Sequence, residues 1–514
     1  MSYESRVKKS LINARVNLIF YFLGLIIAFF SRKTFLSCLG VEYMGLTGTL
    51  FSILSLLNLT EFGISSAISV FLYKPLQSKN REKIIQLISL FGYFYRKIGY
   101  IVGGCAIIIS IAFPFIFKNT NINSGIIYYT FYCYLTAQLI GYFINYRQIL
   151  MTADQKNYII TVYMQTAGMI KTILQIILVY FYKDPFMWIT LELLFNIFGC
   201  VLLNKKLDKE YPWLHSNVKN GKLYLKTYPE ILSLTKKIFI HQIKDFILNK
   251  SDEILIFSFV SLKMVAYYGN YTIIVSKINQ LIASVLNSVD AGVGQMVAEN
   301  DKEKIIRVFW ELMSVRYFIA GLMTFSLYIL VGPFVTLWLG SEYLLSKSIL
   351  ILLLITVFIT QTRGVVDIFN HAYGHYNDVW AAWVEGGINI GVTVVAASFI
   401  GIQGILLGKI ISLIPIILIW KPYYLFTVGI KRNIRYYWSN TFRYYIIFAG
   451  SFAICDILSR TIVIVPTENF GNLILYAICT IVPFLITYFI LLFFFAKGMK
   501  DFVFRMMPVR KNKA

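Results

Sequence analysis

The stretch LLNLTEFGISSAISVFLYKPLQSKNREK, which runs from Leu56 to Lys83, decides the class of protein. It completes an apolar run that is long enough for a bilayer-spanning helix, which needs roughly 20 mostly apolar residues. A cluster of basic and polar residues then ends the run. The whole chain shares this character, because its 514 residues are 58% hydrophobic and only 14% charged. We therefore expect a membrane protein.

Apolar runs of similar length recur along the sequence between polar breaks. About fourteen of them match a spanning helix, from residues 11–35 at the start to residues 471–496 near the end. The sequence thus predicts an all-α polytopic membrane protein with about 14 transmembrane helices.

Lys and Arg concentrate in alternate breaks between these runs. If the N-terminus is cytoplasmic, the inner segments hold about 32 of the 48 basic residues, and the outer loops hold about 5. Cationic loops resist export, so we expect both termini in the cytoplasm. Most of the net charge of +23 then faces anionic lipid headgroups, which favours membrane lipids over nucleic acid as its partner.

The two halves of the chain repeat short motifs at an offset of roughly 220 residues. In chain order the pairs are VEYMGLTG at Val41 with VAYYGNYT at Val265, TEFGISS at Thr60 with VDAGVGQ at Val289, REKIIQ at Arg81 with KEKIIR at Lys302, AFPFIF at Ala112 with VGPFVT at Val331, and ILMTADQKN at Ile149 with IFNHAYGHYN at Ile368. Because the order is kept, we predict two pseudo-symmetric six-helix lobes plus two C-terminal helices.

The repeat and the charge pattern together predict the domain organisation. The segments are an N-terminal lobe at 1–203, a basic cytoplasmic linker at 204–237, a C-terminal lobe at 238–422, a cytoplasmic interfacial segment at 423–443, the two added helices at 444–496, and a basic cytoplasmic tail at 497–514.

Two stretches carry a family resemblance. FFSRKTFLSCLGVEYMGLTGTLFSILSLLNLTEFGISSAISVFLYKPL followed by REKI, and later NKSDEILIFSFVSLKMVAYYGNY, resemble the Wzx-type flippases of bacterial surface-polysaccharide synthesis. These belong to the multidrug/oligosaccharidyl-lipid/polysaccharide exporter superfamily, whose lobes are MATE-like. The resemblance extends over most of the chain up to about the twelfth predicted helix.

The resemblance implies a transporter of the bacterial inner membrane. Such flippases move undecaprenyl-diphosphate-linked oligosaccharide repeat units from the inner to the outer leaflet by alternating access, for O-antigen, capsule or a related polymer. Other polysaccharide assembly proteins are candidate partners. The alternatives are a drug/cation antiporter of the same superfamily, a membrane enzyme of the same pathway (a polymerase or glycosyltransferase), and a scaffolding protein. The short outer loops offer no accessible acid/base pair, so we do not expect an enzyme.

Basic residues inside the apolar runs are the strongest functional signal. A charge at mid-bilayer costs roughly 3 kcal/mol, so such residues must snorkel, pair, or face a wet cavity. The predicted first lobe has more of these bases than acids, whereas the second lobe is balanced. A cationic lobe favours an anionic substrate such as a lipid diphosphate, and disfavours the drug/cation antiporter. The bases of the first lobe are Arg32, Lys33, Arg96, Lys97 and Lys171.

Four basic residues are our candidates for binding the diphosphate. Arg32 follows the family resemblance, although an anchor at the outer end of the helix is the structural alternative. Lys171 lies mid-helix, where snorkelling is difficult. Lys277 has no acid within one helical turn, whereas Arg363 could simply pair with Asp367 four residues on.

Three acids are candidates for a gate or for ion coupling. Glu61 precedes small residues that allow close helix approach, Asp252 matches the family pattern, and Asp367 is the partner of Arg363. A purely structural ion pair is the alternative for each. We expect no cofactor and no metal site, and coupling to a proton or sodium gradient stays open.

The topology is directly testable. Tags at residue 220 and after Ala514 should be cytoplasmic, and tags near Asn121 and Glu468 should be outside, because the basic breaks stay inside. Accessibility labelling in intact cells measures this. Labelling of residue 220 from outside would contradict the topology.

Overall fold

Helices make up nearly all of the described chain, as the apolar runs predict. The computed structural model describes residues 6–58, 64–235, 239, 246, 250–286, 289–299, 301–375 and 379–506, and these contain no β-strand. In this part of the chain, ten helical segments are long and apolar enough to cross a membrane, and shorter apolar helices accompany them. The all-α polytopic class is confirmed.

Contacts divide the chain into two units, Met1–Ala266 and Tyr267–Ala514. The described helices of the first unit are α1 (Arg6–Leu39), α2 (Val41–Leu57), α3 (Ile64–Gln77), α4 (Arg81–Ile111), α5 (Phe113–Ile116), α6 (Ser124–Phe143), α7 (Ile149–Ala153), α8 (Asn157–Tyr182), α9 (Pro185–Glu210), α10 (Gly221–Thr227) and α11 (Asp252–Phe259).

The second unit contains most of α12 and the helices that follow it. They are α12 (Leu262–Leu286), α13 (Val289–Glu299), α14 (Lys302–Trp338), α15 (Lys347–Thr362), α16 (Gly364–Ala372), α17 (Val379–Ile400), α18 (Ile402–Leu413), α19 (Lys421–Tyr424), α20 (Ile434–Ser459), α21 (Phe470–Phe495) and α22 (Met499–Met506). Two π-helical stretches, Ile414–Trp420 and Leu425–Gly429, flank α19.

Some predicted spans consist of more than one helix. The second predicted span, at 45–73, is divided between α2 and α3, and residues 59–63 between them lie outside the described chain. Glu61 is one of these residues, so our prediction of a gate there is not addressed by the structure. Part of the seventh span, predicted at 238–262, is likewise outside the described residues, and α11 lies in its described part. The tenth span is interrupted at Arg363, between α15 and α16.

One motif pair of the sequence repeat has the same local structure in both units. Asn80 caps α4 by accepting a 3.0 Å hydrogen bond from the backbone N–H of Lys83. Asp301 caps α14 in the same way through the N–H of Lys304, at 3.1 Å. A side-chain oxygen at this position satisfies a backbone N–H that the first helical turn leaves free. The REKII and KEKII motifs therefore both start a long helix.

The segment that follows α9 packs onto the first unit. Leu214, Val218 and Ile231 are buried there. The backbone N–H of Asn217 donates to Ser89 on α4, at 2.9 Å. Gly221 approaches α4 so closely that a Cβ atom at this position would clash with Tyr93. Much of the stretch predicted to be a linker therefore belongs to the packed core of this unit.

Aromatic side chains join the two added helices, α20 and α21, to α14. Tyr317 of α14 stacks on Tyr444 of α20, with ring centroids 4.7 Å apart. Phe325 of α14 stacks on Phe484 of α21 at 4.1 Å. Offset-stacked rings at these distances contribute about 0.5–1.5 kcal/mol each beyond their buried area. The added helices are thus an integral part of the second unit.

Helices α17 and α18 cross at small residues. A Cβ atom on Gly404 would overlap the backbone of Ala396, and one on Gly408 would overlap Thr393. Glycines spaced four apart let two membrane helices approach backbone to backbone. The short connection at Gly401, whose φ is +58°, reverses the chain between them.

Replacing the contact glycine should destabilise the protein. We expect Gly404→Ala to lower the free energy of unfolding by about 1–3 kcal/mol, because the new methyl group forces the two helices apart. The control is Gly391→Ala on α17, where nothing lies within 4 Å of the added Cβ. That variant should be neutral or slightly stabilising. Denaturant titration of the purified protein measures both, and equal effects would contradict this packing account.

Candidate functional site

Arg32 lies in a partly buried polar cluster formed by α1, α2 and α11. Its Nη2 donates a 3.1 Å hydrogen bond to the backbone carbonyl of Ala266. The carboxylate of Glu253 is close enough to interact electrostatically with the guanidinium. Ser52 in turn donates to Glu253 Oε2 at 2.7 Å. Arg32 is therefore part of a built polar site and not simply an anchor at the end of the helix.

Gly48 makes room for this cluster. A Cβ atom on Gly48 would lie 3.2 Å from Oε2 of Glu253, tighter than an ordinary van der Waals contact. The glycine lets the carboxylate approach the backbone of α2. The same helix therefore supplies both the space for Glu253 and, one turn later, the Ser52 hydroxyl that donates to it.

Lys171 forms an ion pair between α8 and α9. Its Nζ lies 2.6 Å from Oε1 of Glu192. Gln175, one turn further along α8, donates to the other carboxylate oxygen at 3.3 Å and to the backbone carbonyl of Trp188 at 2.8 Å. The lysine charge is thus compensated, and the carboxylate is held from two sides.

The exposure pattern of α8 shows which way Lys171 faces. Ala167 and Gln175, one turn before and after it, are buried, so the three side chains form one strip against the rest of the unit. Ile170, Ile173 and Ile177 are exposed and form an apolar face. An apolar face suits contact with lipid tails, and the polar strip therefore faces the interior of the helical bundle.

Aromatic side chains connect α1, α2 and α9. Phe35, one turn after Arg32, stacks on Tyr43 of α2 with centroids 5.4 Å apart. Its ring also meets the edge of Trp188 on α9 at 4.8 Å. Trp188 precedes Glu192 by one turn, so these rings join the helix of Arg32 to the helix that carries the partner of Lys171.

Arg363 and Asp367 of the second unit pair with each other. Nε of Arg363 lies 3.3 Å from Oδ2 of Asp367. Arg363 stands at the break before α16, and Asp367 follows one helical turn later within α16. Both side chains are about one quarter exposed, at 22% and 26%. This is the internal pairing that the four-residue spacing allows.

A network of polar side chains also lies in the second unit. Asn279 of α12 accepts a 2.5 Å hydrogen bond from Gln361 of α15, and Gln361 lies 3.5 Å from Arg316 of α14. The Arg316 guanidinium also lies against Gly364, where an added Cβ would approach it to 3.1 Å. Lys277 is half-buried on α12. The structure therefore links three helices through amide groups that sequence reasoning did not single out.

The other three basic residues that the sequence places in apolar runs of the first lobe are at the surface of the unit. Lys33, Arg96 and Lys97 are exposed, and Lys97 lies 4.8 Å from the ring centroid of Tyr93. Asp252 is half-buried at the start of α11, next to Glu253. The excess of cations in the first lobe is thus smaller than the sequence count indicates, because Glu253 belongs to the same unit as Arg32.

A polar rim closes one end of the first unit, outside its spanning segments. Lys156 lies 3.1 Å from Glu210 and 3.3 Å from Asp154. Partial burial lowers the pKa of Lys156, but its hydrogen bonds to these two carboxylates outweigh burial and raise it. Tyr211 donates to Asp154 at 2.9 Å, and burial beside this carboxylate raises the pKa of the phenol. The rim fixes the α7–α8 connection to the end of α9.

Comparisons with known proteins bear on the fold. No family model matches the chain, and no curated protein matches it in sequence. A solved structure of the lipid II flippase MurJ, in an inward closed conformation, matches with a TM-score of 0.64 at 15% identity, over 94% of this chain and 99% of that one. An inward-facing multidrug resistance MATE family transporter of the MOP superfamily matches with a TM-score of 0.54 at 13% identity, over 82% and 95%.

The chain has the fold that these two proteins share. The MATE-like architecture predicted from the sequence is confirmed. At such low identity the likeness extends to the fold alone, so the Wzx-type family and its substrate stay predictions.

The polar cluster around Arg32 makes a specific energetic prediction. In a double-mutant cycle, Arg32→Met and Glu253→Gln should couple by about 1–3 kcal/mol in the free energy of unfolding, because each charge stabilises the other in a poorly hydrated site. The control cycle pairs Glu253→Gln with Lys33→Met at the adjacent exposed position. It should be additive within about 0.5 kcal/mol. Additivity in both cycles would contradict the pairing.

Proposed function

We propose that this chain is a flippase that carries an undecaprenyl-diphosphate-linked oligosaccharide from the inner to the outer leaflet by alternating access. The observation that carries the proposal is that Arg32 and Lys171 both lie among the packed helices of one MATE-like unit, each with an acid beside it. A diphosphate headgroup needs fixed cations once it leaves water.

The fold supports a membrane transporter as the general class. Both structural neighbours are named as proteins that move molecules across membranes, and one of them is a lipid flippase. That flippase is named for lipid II, so its match favours a lipid-linked substrate here. The proposal extends this class to a specific headgroup and to the inner membrane, with both termini cytoplasmic.

The charge arrangement favours an anionic substrate over an organic cation. A drug/cation antiporter needs a carboxylate that is available to its substrate. In the first unit, Glu192 is held by Lys171 and Gln175, and Glu253 is held by Ser52 beside Arg32. The acids thus serve as counterions for the bases. A diphosphate can replace such a carboxylate, whereas a cation would have to displace the lysine or arginine.

Arg32 and Lys171 are expected to have different roles. Arginine keeps its charge under all physiological conditions and offers a planar fork of donors that matches phosphate oxygens. Lysine is a compact charge on a flexible chain, which adapts to different positions of the headgroup. We therefore expect Arg32 to contribute the larger share of affinity.

The test is a flipping assay on the purified protein in vesicles, with a fluorescent polyprenyl-diphosphate saccharide. Arg32→Ala should reduce the rate or the apparent affinity about ten- to hundredfold, because a hydrogen bond to a charged group contributes about 1.5–3 kcal/mol. Arg32→Lys should recover only part of this loss, and Lys171→Ala should have a similar but smaller effect.

The matched control is Lys33→Ala, which removes an exposed charge from the adjacent position and should flip the probe at the wild-type rate. All variants are compared at equal protein amount and after a check of thermal stability. Wild-type flipping by Arg32→Ala would remove the main residue-level support for an anionic lipid substrate.

A further inference from the structure

The Lys171–Glu192 pair has the properties of an exchangeable ion pair. We infer that Glu192 is the resident counterion of Lys171, and that Lys171 leaves it for the substrate phosphate. This inference rests on the proposed function, since it assigns a role to Glu192 at the same site. It adds a residue to the site that the sequence did not single out.

The geometry shows how the pair holds the lysine. The ammonium lies 2.6 Å from one oxygen of Glu192, and Gln175 donates to the other oxygen at 3.3 Å. Gln175 is itself fixed by the backbone carbonyl of Trp188 at 2.8 Å. The carboxylate is therefore positioned by a second group and remains in place when the lysine moves.

The pair is also accessible, unlike a purely structural pair. The side chains of Lys171 and Glu192 are 17% and 32% exposed. In the second unit, by contrast, the carboxylate of Glu311 pairs with Arg505 at 2.7 Å and is only 1% exposed. A headgroup can reach a partly exposed pair without unfolding the helices around it.

The charges explain the direction of the exchange. A diphosphate attracts the ammonium more strongly than a single carboxylate does, because it carries more negative charge and more acceptor oxygens. The carboxylate of Glu192 competes with the phosphate for Lys171 and repels it. Removing this negative charge should therefore strengthen binding of the diphosphate.

The experiment measures binding of undecaprenyl diphosphate to the purified full chain. Glu192→Gln should bind the probe about tenfold more tightly than the wild type, because the competing negative charge is gone. Wild type and variant are compared at the same pH and ionic strength, so that the charge of the probe is the same in both measurements.

Two further variants test whether the lost charge causes the effect. Glu192→Asp keeps a carboxylate and should bind the probe about as the wild type does. Glu210→Gln is the matched control, since Glu210 lies on the same helix and is 2.7 Å from Lys206 in an ion pair of the same type. It should also bind the probe as the wild type does.

The outcomes separate this inference from the proposed function. If Lys171→Ala weakens binding but Glu192→Gln binds no more tightly than the wild type, the counterion exchange is overturned and the diphosphate site stands. If neither Arg32→Ala nor Lys171→Ala changes binding, the proposed function fails and the exchange fails with it.

Discussion

The free-energy cost of placing a charge among apolar helices determines how the polar side chains of the first unit are paired. Arg32 and Lys171 are stabilised there because each has an acid beside it, Glu253 and Glu192 respectively. An uncompensated charge at either position would cost roughly 3 kcal/mol or more. Hydrogen bonds in turn hold the acids in place, from Ser52 to Glu253 and from Gln175 to Glu192. The polar sites, the close approach at Gly48 and the packing of the surrounding helices follow from this requirement.

Pairing also explains how such a unit can bind and release an anion. A cation without a counterion among apolar helices would destabilise the protein. A fully buried ion pair, in contrast, could not be reached by an anionic substrate. The first unit lies between these limits, since the side chains of Lys171 and Glu192 are partly exposed. In the second unit Arg363, at the break before α16, pairs with Asp367 one turn further along, and amide groups link three helices. A diphosphate needs only to be a better counterion than a carboxylate.

Sequence reasoning predicted the class, the apolar spans and the repeated motifs, because these are local features of the sequence. The helix caps that precede one motif pair, Asn80 and Asp301, were found only in the structure. It could not pair Arg32 with Glu253, since more than 200 residues separate them in the sequence and predicted lobes assigned them to different halves. It likewise passed over Glu192 as a lone acid in an apolar run. The neighbour that decides its role, Lys171, becomes visible only when α8 and α9 pack together. Local signals therefore determine the elements, and the charge partners depend on tertiary packing.

The most direct measurement of the central claim is the analysis of lipid-linked oligosaccharides in the source organism after deletion of this gene. We predict that undecaprenyl-diphosphate-linked repeat units accumulate in the cytoplasmic leaflet, that surface polymer is lost, and that the wild-type chain restores both. Normal surface polymer with no accumulated lipid-linked intermediate, in a strain without a second transporter of this fold, would contradict the account.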